Sequence, residues 1–142
     1  MTDSQLTHEI IGAAIEVHRE LGPGLLELVY QESLCHELSV RNIPFEKEKP
    51  IPAVYKGTKL DCGYRADVVV AGRVVIEVKA ISCIAPIHDA IMLTYLRLSG
   101  CKIGLLINFY VPVLKDGIKR FVWRYTPADA EKETQTLRHR GR

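Results

Sequence analysis

The sequence predicts an α/β sandwich in which helices flank a central mixed β-sheet. Three observations predict this fold: apolar residues recur at helical spacing near the N-terminus, the pattern changes to strands between residues 45 and 80, and a further helical segment precedes a continuous apolar run. The predicted order is α-α-β-β-β-α-β-β. Because the chain has 142 residues, 47% of them apolar, we expect one domain over residues 1–125 and a polar, basic C-terminal tail over 126–142.

Two helices are predicted at the start of the chain. The first covers residues 4–21; Asp3 or Ser4 can cap its start, and a Gly-Pro-Gly sequence at 22–24 ends it. The second covers about residues 26–40. The apolar side chains that recur at helical spacing are Leu6, Ile10, Ala14, Ile15 and Leu21 in the first helix and Tyr30, Leu34 and Leu38 in the second.

Strands dominate the middle of the sequence, from residue 45 to residue 80, with tight turns at 56–57 and 71–73. A third helix is predicted over 86–99, because Pro86 suits its first position and Gly100 its end. Residues 103–109 form a continuous apolar run, which is typical of a strand covered on both faces. Residues 119–125 are predicted as the last strand, and a weak helix or a tail is expected from residue 127 onward.

Three charged residues in the strand region indicate chemistry. Asp67 interrupts one apolar run, and Glu77 and Lys79 lie two residues apart in the next, on one face of that strand. Charged side chains in buried strands are costly unless something pairs with them. The pattern predicts a divalent-metal site for phosphodiester chemistry, with two carboxylates for the cation and one ammonium for a phosphate or an attacking water.

Whether Asp67 joins Glu77 depends on the turn between them. A two-residue turn at 71–72 puts the two carboxylates on opposite faces of the sheet, whereas a three-residue turn at 71–73 puts them directly opposite each other. We predict the three-residue turn or an equivalent bulge. Two opposed carboxylates repel each other, and a hard cation between them converts this repulsion into coordination.

Oxygen ligands of this kind are typical of Mg²⁺ or Mn²⁺. A water bound to such a cation has a lowered pKa and can attack a phosphodiester, and Lys79 can orient that water or neutralise charge on the phosphate. The residues alone also allow a structural alternative. In that alternative, Lys79 forms a buried ion pair with Glu77 or Asp67 and holds the hairpin.

Several stretches of the chain resemble a known family. Residues 18–30, HRELGPGLLELVY, resemble the hallmark of the GxxExxY family, whose pattern is met by Gly24, Glu27 and Tyr30. Asp67 followed by Glu-Val-Lys at 77–79 resembles the signature of the PD-(D/E)XK nuclease superfamily. The segments YLRLSG and GLLINF, at 95–100 and 104–109, are also similar to the GxxExxY family, so the resemblance covers roughly residues 4–125.

The resemblance implies a restriction-endonuclease-like core and a metal-dependent site. Glu27 would be the helical acidic residue that contacts the metal directly or through water. Asp67, Glu77 and the backbone carbonyl of Val78 would be further metal ligands, and Lys79 would be the catalytic lysine. Without the resemblance, Glu27 is interpreted as a solvated carboxylate that the helix dipole stabilises.

One position departs from the family pattern. Related sequences often carry Gln and Tyr four residues apart on the helix after the E-x-K strand; here Tyr95 is present, but the Gln position is Ile91, which cannot hydrogen-bond. Activity is then weakened, lost or supported by a neighbouring residue. Weaker substrate contacts are expected from Tyr95, His88, His18 and Arg65, the last lying opposite Lys79 in the predicted register. Core packing for Tyr95 and surface or capping positions for the histidines are the alternatives.

The expected function is a Mg²⁺- or Mn²⁺-dependent nuclease that acts on DNA rather than RNA. The alternative is a catalytically weakened module on the same fold that binds nucleic acid or protein, and a third option is a purely structural role with an internal ion-pair network. A small nuclease core is expected to need a second copy, as a homodimer, or an unidentified protein partner to hold a duplex.

Composition excludes some other classes. The net charge of +2 is too small for a strong, non-specific nucleic-acid binder, although it permits a locally basic groove. No apolar run is long enough for a bilayer and the first residues are unlike a signal peptide, so we expect no membrane association and a cytoplasmic location. The four cysteines form no C-x-x-C pair, so reduced, mostly buried thiols are expected.

Overall fold

The computed structural model describes residues 1–124, which form a five-stranded sheet with helices on both faces. In chain order the elements are α1 (Asp3–Leu21), α2 (Glu27–Val40), β1 (Phe45–Tyr55), β2 (Thr58–Val70), β3 (Val74–Lys79), α3 (Pro86–Ser99), β4 (Ile103–Asn108), a 3-10 helix (Leu114–Gly117) and β5 (Ile118–Val122). This order and the mixed sheet confirm the predicted fold class.

The strands lie in the sheet in chain order. Strands β3 and β4 are parallel and are connected through α3, and each of the other neighbouring pairs is antiparallel. Helices α1 and α2 cover one face of the sheet, and α3 covers the other through Met92 and Leu96, which pack with Val75 and Leu106. Strands β3 and β4 are therefore buried on both faces, which explains their continuous apolar runs.

The turn between β2 and β3 contains three residues, as predicted. Val68, Val69 and Val70 pair with Ile76, Val75 and Val74, respectively. Ala71 and Gly72 have positive φ angles of 52° and 65°, a conformation that glycine adopts without steric cost. In this register Asp67 and Glu77 follow the last pair, Val68 and Ile76, so the two carboxylates lie opposite each other.

Some details differ from the prediction. The last strand, predicted over 119–125, is Ile118–Val122, and the 3-10 helix before it was missed because it is too short for a periodic pattern. Cys35 and Cys101 are buried as expected, whereas Cys62 and Cys83 are exposed. None of the helices within residues 1–124 combines the length and the apolar character that a bilayer crossing needs. The predicted tail lies outside the described residues.

Candidate active site

Asp67 and Glu77 meet where strands β2 and β3 separate. The regular ladder ends at the pair formed by Val68 and Ile76. Beyond it, the backbone N–H of Asp67 donates to Oε1 of Glu77 over 3.1 Å, and the backbone N–H of Val78 donates to Oδ2 of Asp67 over 2.7 Å. In a regular ladder, backbone carbonyls would accept these hydrogen bonds; here the two carboxylates accept them instead. The carboxylate of Asp67 in β2 is thereby bound to β3, and that of Glu77 in β3 to β2.

The alternation of side chains between the two faces of the sheet is interrupted in β2 at Asp67. Val68 packs with the side of the sheet that α1 and α2 cover, whereas Ala66 packs with the α3 side, although residues two apart in a regular strand share one face. Glu48, the residue of β1 at the same level, has a positive φ of 53°. The gap that holds the carboxylates is therefore a local irregularity of the sheet, a kind of feature that is common beside active sites.

Burial makes the charged forms of both carboxyl groups costly. Glu77 is 6% exposed, and burial together with the charge of Asp67 raises its pKa to about 8. Burial also raises the pKa of Asp67, although the hydrogen bond from Val78 and the charge of Lys79 oppose that rise. A cation beside the pair would favour both ionised forms.

Lys79 lies near the carboxylates without forming an ion pair. Its positive charge opposes the raised pKa values of Glu27, Asp67 and Glu77. None of the ion pairs within residues 1–124, which join atoms up to 4.0 Å apart, includes Lys79. The structural alternative, in which Lys79 holds the hairpin through an ion pair, is therefore wrong.

Glu27 is the first residue of α2, and the Gly-Pro-Gly turn before it sets its position. Tyr30 is fully buried, and its ring stacks on Phe109 with the ring centroids 4.5 Å apart. Its hydroxyl donates to the carbonyl of Gly22 over 2.5 Å and accepts from the N–H of Leu25 over 3.1 Å. Tyr30 therefore fastens the turn, which explains why Gly, Glu and Tyr occur together at this spacing.

Glu27 approaches the carboxylate pair from α2. Burial and the charge of Asp67 raise its pKa, while the charge of Lys79 and a backbone hydrogen bond with Ala80 oppose the rise. The charges of Asp67 and Lys79 thus act on both Glu27 and Glu77, although the sequence separates these residues by up to about fifty positions. We call Glu27, Asp67, Glu77 and Lys79 the cluster.

Tyr95 of α3 borders the cluster on the other side. It is 8% exposed, and its ring meets that of Tyr64 edge-on with the centroids 5.6 Å apart. Burial and the charges of Glu77 and Asp67 raise the pKa of Tyr95 to about 12, so the hydroxyl stays protonated and can donate a hydrogen bond. Sequence reasoning missed Tyr64, because strand alternation cannot be followed across the irregularity at Asp67.

Arg65 does not lie opposite Lys79, as the predicted register required. The ladder between β2 and β3 does not reach these two residues. Tyr64 contacts Tyr95 on the α3 side, so its neighbour Arg65 points to the other face. The predicted pairing is wrong because β2 leaves β3 at Asp67. A contact between the exposed Arg65 and a polyanion stays a prediction.

The two histidines and Ile91 have different positions. His88 lies at the start of α3, where its Nδ1 accepts from the N–H of Ala85 over 2.9 Å; a positive charge on its ring would lower the pKa of Glu27. His18 is 9% exposed, and its Nε2 lies 2.8 Å from the carbonyl oxygen of Val111, so it binds backbone rather than the cluster. Ile91 packs against the apolar core on the α3 side.

Gln31 is a buried polar residue that sequence reasoning missed. It is 5% exposed, and its Nε2 has no hydrogen-bond partner among the described residues. Gln31 lies one turn after Glu27 and one turn before Cys35 on the same helix face. The charge of Asp67 contributes to the raised pKa of both neighbours, Glu27 and Cys35. Its four-residue spacing from Glu27 was the available signal.

The donors at this site suit a hard divalent cation. Asp67 and Glu77 supply carboxylate oxygens, and the carbonyl of Val78 points to the same edge of β3 as its N–H, which binds Asp67. Within residues 1–124, no group of three or more His, Cys, Asp or Glu side chains is arranged to hold a metal ion. Backbone, water and substrate oxygens would therefore complete the coordination, as is usual for Mg²⁺.

Comparison with known proteins agrees with this geometry. The family model described as the PD-(D/E)XK nuclease superfamily matches residues 4–121, a range that runs from α1 into β5 and contains the whole cluster. No curated protein and no solved structure matches the chain. Nucleases of this superfamily generally use divalent metal ions, and the five-stranded mixed sheet with its three helices is consistent with their restriction-endonuclease-like fold. The narrower GxxExxY resemblance stays a prediction. The chain therefore belongs to the PD-(D/E)XK nuclease superfamily.

Proposed function

We propose that this protein is a Mg²⁺- or Mn²⁺-dependent nuclease that hydrolyses phosphodiester bonds of DNA, with RNA as the less favoured substrate. The observation that carries the proposal is the meeting of Asp67 and Glu77 in the gap between β2 and β3, with Lys79 beside them. Superfamily membership supports the same function.

Each residue of the cluster has a separate role in the proposed reaction. Asp67, Glu77 and the carbonyl of Val78 would hold the cation, and Glu27 would contact it directly or through water. The bound cation would lower the pKa of a water molecule and offset charge on the phosphate. Lys79 orients the attacking water or neutralises charge that develops on the phosphate, and the protonated hydroxyl of Tyr95 can donate to either group.

Gln31 is our candidate for the amide that Ile91 cannot provide. Ile91 packs in the apolar core on the α3 side, whereas Nε2 of Gln31 is buried without a partner among residues 1–124. A buried unpartnered donor is costly, so its retention calls for an explanation. A rotation of the side chain that turns the amide towards the cluster would let a water or substrate oxygen satisfy it.

The direct test is a cleavage assay with single-stranded, linear and supercoiled DNA and with RNA, in Mg²⁺, Mn²⁺ or EDTA. We expect cleavage of DNA by the wild type, and none in EDTA. Asp67→Asn and Lys79→Met should each lower the rate by about 100-fold or more, because each removes a charge that acts at the reacting phosphate.

Matched controls come from the same strand as Asp67. Asp61→Asn and Lys59→Met change exposed residues of β2 in the same way and should keep the wild-type rate. Circular dichroism checks that each variant is folded. Cleavage by Asp67→Asn at the wild-type rate would contradict the proposal and point to a contaminating nuclease.

A second candidate function is a binding or assembly module without turnover. Ile91 at the expected Gln position favours it, and so does the exposed apolar start of α2, where Leu26 is 77% and Leu28 57% exposed. This function predicts tight binding of nucleic acid or of a protein by the wild type, with no cleavage in any metal. The cleavage assay therefore separates the two candidates.

We also propose that the protein acts as a homodimer or with a protein partner. The apolar surface at the start of α2, formed by Leu25, Leu26, Leu28 and Val29, is exposed and can be covered by a second copy. Light scattering should give twice the monomer mass, and Leu26→Glu should restore the monomer. A monomer at every concentration would contradict the dimer. The cytoplasmic location stays a prediction.

A further inference from the structure

We propose that a cavity beside the metal site binds an unpaired nucleobase of the substrate strand. The proposal rests on the proposed function, because it assigns the cavity to the nucleic acid that the site would cut. The cavity, of about 540 Å³, lies between the segment after β3, the start of α3, β4 and β5. We call it the base cavity and define it by Ile84, Asp89, Leu106, Asn108, Ile118 and Lys119.

The base cavity adjoins the cluster across one strand spacing. Leu106 and Asn108 line it, and they are the β4 partners of Glu77 and Lys79. Neighbouring strands lie about 5 Å apart, and side chains of paired residues stand on the same face of the sheet. A nucleotide whose phosphate lies at Lys79 can therefore place its base in the cavity that Leu106 and Asn108 border.

Asn108 shapes the cavity but has its own partners. It is 5% exposed, and its Oδ1 accepts from the N–H groups of Ile81 and Tyr110 over 3.1 and 3.2 Å. Its Nδ2 donates to the carbonyl of Ile81 over 2.8 Å. Asn108 thus fixes the segment that follows β3. Because its amide already binds backbone groups, other polar groups of the cavity must bind the ligand.

Asp89 has an acceptor that no described residue uses. Its Oδ2 accepts from Nζ of Lys119 over 2.5 Å. Its Oδ1 is buried and has no hydrogen-bond partner among residues 1–124. No ligand reaches Oδ1 in this position, but the side chains of Asp89 and Lys119 are 33% and 53% exposed, so Oδ2 and the ammonium are the polar atoms of the pair that a ligand in the cavity can meet.

The donor and acceptor next to each other match the edge of a nucleobase. Oδ2 of Asp89 can accept a further hydrogen bond, and the ammonium of Lys119 beside it can donate one. Every nucleobase presents an N–H donor next to an acceptor on its Watson–Crick edge. The apolar side chains of Ile84, Leu106 and Ile118 line the same cavity and can contact the base faces.

The charge of the lining disfavours a phosphate in this position. Asp89 and Asp116 both line the cavity, and Lys119 is already paired with Asp89. Like charges repel, so the negative group of a nucleotide belongs at Lys79 and the neutral base in the cavity. Because a duplex occupies the Watson–Crick edge, the substrate class is single-stranded nucleic acid, a flap or a frayed end.

The test measures the binding of labelled single-stranded and duplex DNA of one sequence by fluorescence anisotropy, with Ca²⁺ in place of Mg²⁺ to prevent cleavage. The wild type should bind the single strand about tenfold more tightly than the duplex, and Asp89→Leu should remove most of that difference. Lys119→Met, on the exposed side of the pair, should also weaken single-strand binding. Glu32→Leu breaks a comparable exposed pair, with Lys47 at 2.9 Å, and should bind like the wild type.

A titration with deoxynucleoside monophosphates separates failure of this proposal from failure of the proposed function. In NMR spectra, dCMP and dGMP should shift the amides of the base cavity, inorganic phosphate should not, and Asp89→Leu should abolish the shifts. If the wild type responds in this way but cleaves no nucleic acid, the base-cavity proposal is supported and the proposed nuclease function is contradicted. If the Asp89 and Lys119 variants bind as the wild type does, or if the wild type binds neither DNA nor nucleotide, the base cavity is overturned.

Discussion

The backbone N–H of Asp67 donates a hydrogen bond to Oε1 of Glu77 over 3.1 Å, at the point where β2 leaves β3. The carboxylate of Asp67 in turn accepts from the N–H of Val78 over 2.7 Å. The two strands are joined here through side chains instead of a backbone ladder. Both carboxylates are therefore oriented before any cation arrives, and preorganised ligands lose less entropy on binding.

Divalent cations should raise the melting temperature of the wild type. A ligand that binds only the native state stabilises it by about 2.7 kcal/mol at a concentration 100 times its Kd, which shifts the melting temperature by several degrees. Asp67→Asn and Glu77→Gln should abolish the shift with Mn²⁺, because each removes a carboxylate ligand. Glu46→Gln, at an exposed position of β1, should keep it. A full shift in Asp67→Asn would contradict the assigned ligands.

The stability of the metal-free protein should fall as pH rises from about 5 to 8. Burial and the charge of Asp67 raise the pKa of Glu77 from 4.5 to about 8. Between these values the native state keeps a proton that the unfolded state has lost, so the contribution of Glu77 to stability declines with rising pH. Urea unfolding at several pH values in EDTA measures this slope.

Two comparisons assign the slope to Glu77. Glu77→Gln cannot ionise, so its free energy of unfolding should change less between pH 5 and 8 than that of the wild type. Saturating Mn²⁺ should also reduce the slope, because the cation favours the ionised carboxylate. A slope in Glu77→Gln equal to that of the wild type would show that other groups cause it.

Tyr30→Phe should lower both stability and cleavage. The substitution removes the hydroxyl that binds Gly22 and Leu25 but keeps the ring that stacks on Phe109. We expect a loss of about 1–2 kcal/mol in the free energy of unfolding, and a lower cleavage rate because Glu27 follows this turn. Tyr55→Phe, at a residue that is 63% exposed, is the matched control and should change neither quantity. An unchanged stability in Tyr30→Phe would mean that the turn does not depend on the hydroxyl.

Gln31→Leu should lower cleavage without lowering stability. Replacing a buried, unpartnered amide with an apolar side chain removes a desolvation cost, so a purely structural Gln31 predicts equal or higher stability and unchanged activity. A role at the site predicts a loss of about tenfold in rate, of the size expected for one hydrogen bond in a transition state. Ile91→Gln in the Gln31→Leu background should restore part of that rate. Full activity of Gln31→Leu would remove it from the site.

Sequence patterns predicted most of the fold because the forces that form its elements are local. Apolar spacing identified α1 and α2, Pro86 and Gly100 gave the start and the end of α3, and the Gly-Pro-Gly turn gave the end of α1. The turn at residues 71–73 set the register of β2 and β3. The 3-10 helix was missed because a segment of four residues has no periodicity to detect.

The candidate site was predictable only in part. Asp67, Glu77 and Lys79 follow from charge within apolar strands, and Glu27 from a motif that Tyr30 explains. Arg65 was placed wrongly because its position assumed a regular ladder, whereas the ladder between β2 and β3 ends at Val68 and reaches neither Asp67 nor Arg65. Gln31 and Tyr64 were missed because their relation to Asp67 and Tyr95 depends on how α2 and α3 pack on the sheet.

By itself, the sequence determined the order of helices and strands, the register of the central hairpin and the two opposed carboxylates. These features depend on residues a few positions apart, whose spacing and turn lengths constrain the backbone directly. Tertiary structure alone decided that β2 leaves β3 at Asp67, that Lys79 has no ion pair within residues 1–124, and that Asp89 meets Lys119 beside the site. Such contacts join distant segments, and the packing of helices on the two faces of the sheet determines which side chains meet.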